Sequence, residues 1–296
     1  ARYYGYNNIA TTLMRGTTTR GGYSETAMLE NQAGAAARSL GYSEIITYSF
    51  VSPASFDAVC IPKDSPLRKT LKLVNPLGED TSIMRTIILP SMLDILSRNY
   101  AMKNKGVKLY ELGRVYLPVD GQDLPEEPRH LIFGTYGEHE TFFTMKGEID
   151  ALLQLLNVKP AEYVANRENP SYHPGRCADI LIDGKLAGTI GQIHPLVAET
   201  YGIGGEVYVA DLDFTTIEAS LAEERVFHSL PRFPAVTRDL ALVCDEAVAC
   251  GDIEEAIKKA SPLITEVKLF DIYRGANLGE GKKSMAFSLT LSDPSA

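Results

Sequence analysis

At 296 residues the chain has room for one to three domains, and its 45% apolar content suffices for a full core, which excludes an intrinsically disordered protein. No run of eighteen apolar residues occurs, so no transmembrane helix is expected, and Ala1-Arg-Tyr-Tyr-Gly-Tyr6 lacks the features of a secretory leader. The net charge of −9 speaks against binding nucleic acid by bulk attraction, so any RNA contact must be local or shared with a basic partner.

Residues 1–18 are Tyr-rich, then Thr-rich, and read as the tail of a preceding element followed by a linker; the first residue is not Met, as expected of a fragment. Ser24 to Leu40 predicts a helix whose apolar stripe is Leu29, Ala33, Ala36, Ala37 and Leu40, capped by Ser24 and closed by Gly41. Strands are expected at Glu44–Phe50 and Lys69–Val74, then a turn at Asn75-Pro-Leu-Gly78 and a helix from Pro90 to about Met102. Val107–Leu117 and His130–Tyr136 read as strands around an acidic loop, and Phe143–Leu156 as a helix burying Ile149, Leu152, Leu153 and Leu156. Asp183-Gly184 marks a hairpin between Cys177–Ile182 and Leu186–Gln192. A short helix at Pro195–Tyr201 and a strand at Val207–Leu212 complete a mixed region with a largely antiparallel sheet.

Pro231-Arg-Phe-Pro234 punctuates the chain, and a new unit follows. It holds a strand at Arg238–Cys244 and a helix at Ile253–Ala260 with a capping box, Asp252 and Glu255, and a stripe of Ile253, Ala256, Ile257 and Ala260. Strands at Thr265–Tyr273 and Lys283–Leu291 follow. This β-α-β-β order is the first part of a ferredoxin-like α+β sandwich, and the chain ends before the expected second helix and last strand. Such a sheet would leave the first strand as an exposed edge.

The final hairpin concentrates the chemistry. Alternation places Phe270 and Ile272 on one face and Asp271 and Tyr273 on the other. On the partner strand Met285, Phe287, Leu289 and Leu291 share a face, and Ser284, Ala286, Ser288 and Thr290 share the opposite one. An open face with an aromatic, a carboxylate and a hydroxyl suits single-stranded RNA, where the ring stacks on a base and the polar groups read its edge. An ordinary half-solvated hairpin would show the same alternation.

Catalytic signatures are missing from the sequence: no P-loop, no G-x-S-x-G, no H-E-x-x-H and no C-x-x-C. Cys60, Cys177, Cys244 and Cys250 have no metal-ligand spacing and read as reduced cytosolic thiols. His173-Pro-Gly-Arg176 and Gln192-Ile-His-Pro195 bracket the Asp183 hairpin. His173 could act as a base and Arg176 as a phosphate clamp, but packing or subunit contact is the simpler role for these residues and His194. Glu111 and Arg114, three apart in one strand, fall on opposite faces. Arg85 could bind an anion; a solvated or interface arginine is the plainer reading.

Several segments, in order along nearly the whole chain, together resemble the β-subunit family of bacterial phenylalanyl-tRNA synthetases. They are Ala1-Arg-Tyr-Tyr-Gly-Tyr-Asn-Asn-Ile9, Leu40-Gly-Tyr-Ser-Glu-Ile-Ile-Thr-Tyr-Ser-Phe50, Asn75-Pro-Leu-Gly78 through Met84-Arg85, and Leu109-Tyr-Glu-Leu-Gly-Arg-Val-Tyr116. Next come His173-Pro-Gly-Arg176, Gly191-Gln-Ile-His-Pro195, Phe233-Pro-Ala-Val-Thr-Arg-Asp239, Leu269-Phe-Asp-Ile-Tyr-Arg-Gly275 and Gly281-Lys-Lys-Ser-Met-Ala-Phe287. The resemblance implies that 1–18 is the tail of a DNA-binding-like domain and a linker. It implies that 19–228 is an α+β, class II synthetase-like antiparallel sheet with helices that has lost its active site. Residues 229–296 would then be an incomplete ferredoxin-like anticodon-binding domain. The implied partners are the catalytic α subunit, in a two-α, two-β cytoplasmic assembly, and tRNA(Phe); neither a membrane nor DNA is an expected partner. The assembly would use ATP and Mg2+, with the magnesium ligands and an editing domain upstream of Ala1 and no cofactor on this fragment. In the family an aromatic stacks on the first anticodon base, a guanine, and an acid two residues earlier binds its edge. Tyr273 and Asp271 match those positions, and Ser284 matches a nearby contact.

Two other functions compete. A stand-alone paralogue acting as an amino-acid ligase would need an Arg-bearing ATP site, which the sequence lacks. A ferredoxin-like amino-acid sensor would want a Gly-rich loop where Asp245-Glu-Ala-Val-Ala-Cys-Gly251 stands.

Overall fold

Ser24 opens the first helix as its side chain suggests, accepting a hydrogen bond from the Ala27 N–H at 3.2 Å. The computed structural model describes residues 1–223, 227 and 233–293, and the chain divides into two units, Ala1–Glu223 and Glu224–Ala296. The expected boundary at 228/229, His228 and the Pro231-Arg232 half of the punctuation lie outside the described residues.

The first unit runs α1 (Glu25–Ser39), β1 (Ser43–Glu44), β2 (Phe50–Val51), α2 (Ser55–Ala58), β3 (Ile83–Met84), α3 (Leu89–Ala101), β4 (Val107–Arg114) and β5 (Arg129–Tyr136). It continues with α4 (Phe142–Leu155), β6 (Ala161–Ala165), β7 (Tyr172–Ile182), β8 (Lys185–Ile193), α5 (Pro195–Thr200), β9 (Tyr208–Asp213) and α6 (Phe214–Ala219). Seven strands form one sheet in the order β1-β4-β5-β9-β8-β7-β6, antiparallel except where β1 meets β4. Each face buries its own core, because both alternating sets of side chains are largely apolar. On one face Tyr110, Leu131, Phe133, Ala210 and Ile190 pack with α1, α4 and α6 through Leu29, Ala33, Met145, Ile149 and Phe214. On the other, Leu109, Ile132 and Val209 pack with Met92, Leu93 and Leu96 of α3 and Val197 of α5. Helix α3 settles onto β5 at Gly134, where a Cβ would lie 2.7 Å from Met92 Sδ. The β7–β8 turn has Asp183 at φ 51° and Gly184 at φ 71°, the doubly left-handed pair that a two-residue hairpin needs.

Three strand expectations are corrected here. The segment 44–50 is not one strand: Ile45 donates its N–H to the Tyr110 carbonyl at 2.8 Å, but Thr47 donates to the Glu111 carboxylate, which ends the ladder. Lys69–Val74 forms no strand beyond a lone bridge from Lys72 to Ile83. The strand from Val107 stops at Arg114, because Val115 donates to the Pro128 carbonyl and Tyr116 to the Arg85 carbonyl. β3, β6, α2 and α6 have no counterpart among the expected elements.

In the second unit β10 (Val236–Asp245), α7 (Cys250–Ala260), β11 (Ile264–Tyr273) and β12 (Lys282–Leu291) form an antiparallel sheet of order β10-β12-β11 with α7 on one face. Central β12 buries Met285 and Phe287 against Ile257 of α7 and Val267 of β11. The expected capping box is absent. α7 starts at Cys250 after Ala249, so Asp252 lies inside the first turn, where it still complements the helix dipole, and Glu255 pairs with Lys259 at 2.5 Å. Ala256 and Ala260 are exposed rather than part of the stripe; Cys250, Ile253 and Ile257 form it. A bulge between Leu269 and Asp271 also takes Phe270 out of the ladder, so it does not share a face with Ile272 as expected: it is 56% exposed, and Leu269 takes the position opposite Phe287.

Candidate nucleic-acid interface

Because paired residues of an antiparallel ladder share a face, the register lays out the side of the sheet away from α7 row by row. Val243, Ser284 and Tyr273 form one row across the three strands; Ala241, Ala286 and Asp271 form the next. Asp239, Ser288 and Lys268 follow. The bulge at Phe270 is what keeps Asp271 and Tyr273 on this side while Val267 and Leu269 face the core. Tyr273 is 50% exposed and stands directly opposite Ser284, with Asp271 opposite Ala286. Among the described residues none of these three side chains has a hydrogen-bond partner, so their polar atoms are free for a ligand. Two alanines in the second row leave a low floor beside the ring. The result is a flat aromatic, a carboxylate and a hydroxyl on a nearly bulk-free patch, which can stack on one planar ring and accept or donate at its edge.

The end of the patch is pinned by charge. Arg274 grips Glu246 with Nε at 3.0 Å and Nη2 at 2.7 Å, and its hydrogen bond holds that carboxyl below the usual glutamate range. The buried Lys283 donates Nζ to the Glu246 carbonyl at 2.9 Å, and Lys282 pairs with Asp245 at 2.9 Å. Sequence reasoning placed no β10 residue on the open face. The inward alternation of Leu240, Leu242 and Cys244 carried that signal and would have put Ala241 and Val243 outward.

The other sequence candidates lie in the first unit. Arg85 is neither solvated nor at a surface. It is 2% exposed, with Nη2 3.0 Å from Glu111 Oε1, Nη1 2.7 Å from Thr47 Oγ1 and Nε donating to the Arg114 carbonyl at 2.9 Å. Thr47 in turn donates to Glu111 Oε2 at 2.6 Å, so the pair is closed. The Arg114 side chain is exposed beside Glu127. The two motifs bracketing the hairpin are brought to one end of it: Arg176 Nη1 reaches both Gln192 Oε1 and Glu206 Oε1 at 2.7 Å. His173 Nδ1 accepts from the Gly175 N–H, and His194 Nδ1 accepts from the Leu196 N–H to cap α5, so both rings serve their local turns. The structure does not bring Arg85 to this cluster as one site. Among the described residues no group of three or more His, Cys, Asp or Glu side chains is placed to hold a metal ion.

The first unit has the fold of a class II aminoacyl-tRNA synthetase. A pyrrolysyl-tRNA synthetase from Desulfitobacterium hafniense superposes with a TM-score of 0.54 over 66% of this chain and 68% of that one, at 13% identity. The chain belongs to the phenylalanyl-tRNA synthetase β-chain family: residues 9–214 match the family model "Phenylalanyl tRNA synthetase beta chain CLM domain". Residues 231–296 match the "Ferredoxin-fold anticodon binding domain". It is similar to the phenylalanine–tRNA ligase β subunit of Clostridium tetani, 42% identical over 99% of this chain, and to that of Clostridium acetobutylicum, 39% identical over 99%. The chain spans 37% of the length of each of these relatives.

Proposed function

We propose that this chain is the non-catalytic portion of a phenylalanine–tRNA ligase β subunit that carries the anticodon reader. Residues 19–228 form a class II-like domain that assembles with the catalytic α subunit, and residues 229–296 bind the anticodon of tRNA(Phe), after a short tail at 1–18. The whole enzyme attaches phenylalanine to tRNA(Phe) with ATP and Mg2+ in the cytoplasm. The observation that carries the reading is Tyr273 standing opposite Ser284, one row from Asp271, on the sheet face that α7 leaves open. Tyr273 stacks on the first anticodon base and Asp271 and Ser284 bind its edge. Arg85 serves the fold; Arg114, His173, Arg176 and His194 supply structural or subunit contacts.

The test is charging by the assembled enzyme of tRNA(Phe) and of a transcript altered at the first anticodon base. The parent enzyme should discriminate between them. Tyr273→Ala should lose about 1–3 kcal/mol of cognate recognition, the usual worth of one stacked base. Unchanged discrimination in that variant would sink the reading.

A further inference from the structure

We propose that Gly275 is a positioning residue for the Tyr273 ring, a role that rests on the anticodon reading above. The ring leans past the end of β11 and lies over Gly275. A Cβ at that position would fall 2.5 Å from Tyr273 Cζ, 2.8 Å from Cε1 and closer still to Oη. Real Cβ atoms do not approach so closely, so any other residue evicts the ring from this pose. Backbone strain is not the reason for the glycine, because the left-handed glycines of this stretch are Gly279 and Gly281, and Gly275 is not among them. What it supplies is space, the close-approach use of glycine.

The contact differs from that at Gly188 in what would yield. At Gly188 the obstacle is backbone, the Asp211 carbonyl oxygen. At Gly275 it is a half-exposed ring with no hydrogen-bond partner among the described residues, which an added Cβ can push into another rotamer without moving backbone. A methyl group there therefore leaves the fold intact and re-aims the ring. The residue between them, Arg274, is tied to Glu246 through two nitrogens, and the Glu246 carbonyl is tied to buried Lys283. The backbone under the ring is thus anchored to the β10 turn, and the ring is held over a fixed platform before a base arrives. Such pre-ordering lowers the cost of binding without adding a contact.

The experiment is a double-mutant cycle in the assembled enzyme with full-length subunits: parent, Gly275→Ala, Tyr273→Ala and the double variant, with kcat and the KM for tRNA(Phe). Gly275→Ala should raise KM by about tenfold, near the loss of a stacked base, with kcat and the melting temperature unchanged. In the Tyr273→Ala background the same change should cost nothing more, because there is no ring left to move. An equal cost in both backgrounds, or none in either with Tyr273→Ala itself impaired, overturns the positioning role while the anticodon reading stands. A Tyr273→Ala enzyme with parental KM overturns both. If Gly275→Ala does not assemble, Glu246→Gln replaces it in the cycle: loosening Arg274 should raise KM only where Tyr273 is present, and an effect independent of Tyr273 refutes the proposal.

Discussion

Arg85 and Glu111 show how much one pair of side chains can hold. Both are almost wholly buried, and each side-chain nitrogen and oxygen of the pair has a partner in the other, in Thr47 or in the Arg114 carbonyl. Glu111→Gln leaves a guanidinium buried without its counter-charge and should cost about 3–5 kcal/mol in a urea titration, whereas replacing both partners by leucine and methionine should cost less. His130 makes a different kind of pair. Burial opposes its charged form, but the Asp211 carboxylate, 2.7 Å from Nδ1, and the nearby Asp213 outweigh that, so its pKa is raised. A histidine whose folded pKa lies above its unfolded value near 6.5 stabilises the fold fully below that pH, and the benefit disappears as pH climbs through the raised folded value. The unfolding midpoint should therefore fall as pH rises above about 6.5, and His130→Gln should flatten that part of the profile.

Between elements, glycines decide how closely strands and helices approach, and two of them should respond with opposite sign. Strand β8 meets β9 at Gly188, where a Cβ would run into the Asp211 carbonyl oxygen and lie 3.0 Å from Leu212 Cα. Backbone cannot step aside without parting the two strands, so Gly188→Ala should lose about 1–3 kcal/mol or more by urea unfolding. Gly147 sits inside α4 with open space around it. Alanine there should gain about 1 kcal/mol from helix propensity alone, and a lower midpoint would show that the helix needs the glycine for another reason. The bulge at Phe270 belongs with these devices. One extra residue resets which side chains of β11 meet the core and leaves Asp271 and Tyr273 on the open face together.

The chain as a whole carries −9, and from Arg232 to Asp293 there are 8 Lys and Arg against 10 Asp and Glu, a net of −2. A unit with this balance gains little from bulk counterion release, so under the proposed function stacking is its main local contribution to RNA binding. In the assembled enzyme, Tyr273→Ala should therefore lower tRNA affinity by the same factor at every salt concentration, giving lines of log affinity against log salt that run parallel to the parent. A change of slope would mean that the ring's loss disturbs phosphate contacts instead.

What could be read along the chain was whatever depends on near neighbours. The α1 stripe and its Ser24 cap, the Asp183-Gly184 turn, the β-α-β-β order and the alternation that set Tyr273 and Asp271 apart from Ile272 all follow from spacing and turn chemistry within a few residues. The family resemblance added expected partners and roles that no spacing contains. The rest depended on groups distant in sequence. Arg85 looked solvated because Glu111, Thr47 and the Arg114 carbonyl reach it only after the sheet has formed. Glu44–Phe50 looked like one strand because nothing local shows that the Glu111 carboxylate takes the Thr47 N–H. Phe270 was expected on the face of Ile272 because a bulge exists only relative to the partner strand. Alternation along one strand proposes two faces; which face is covered, and which residues of β10 and β12 stand beside Tyr273, is set by pairing between strands, and that register is a property of the folded sheet.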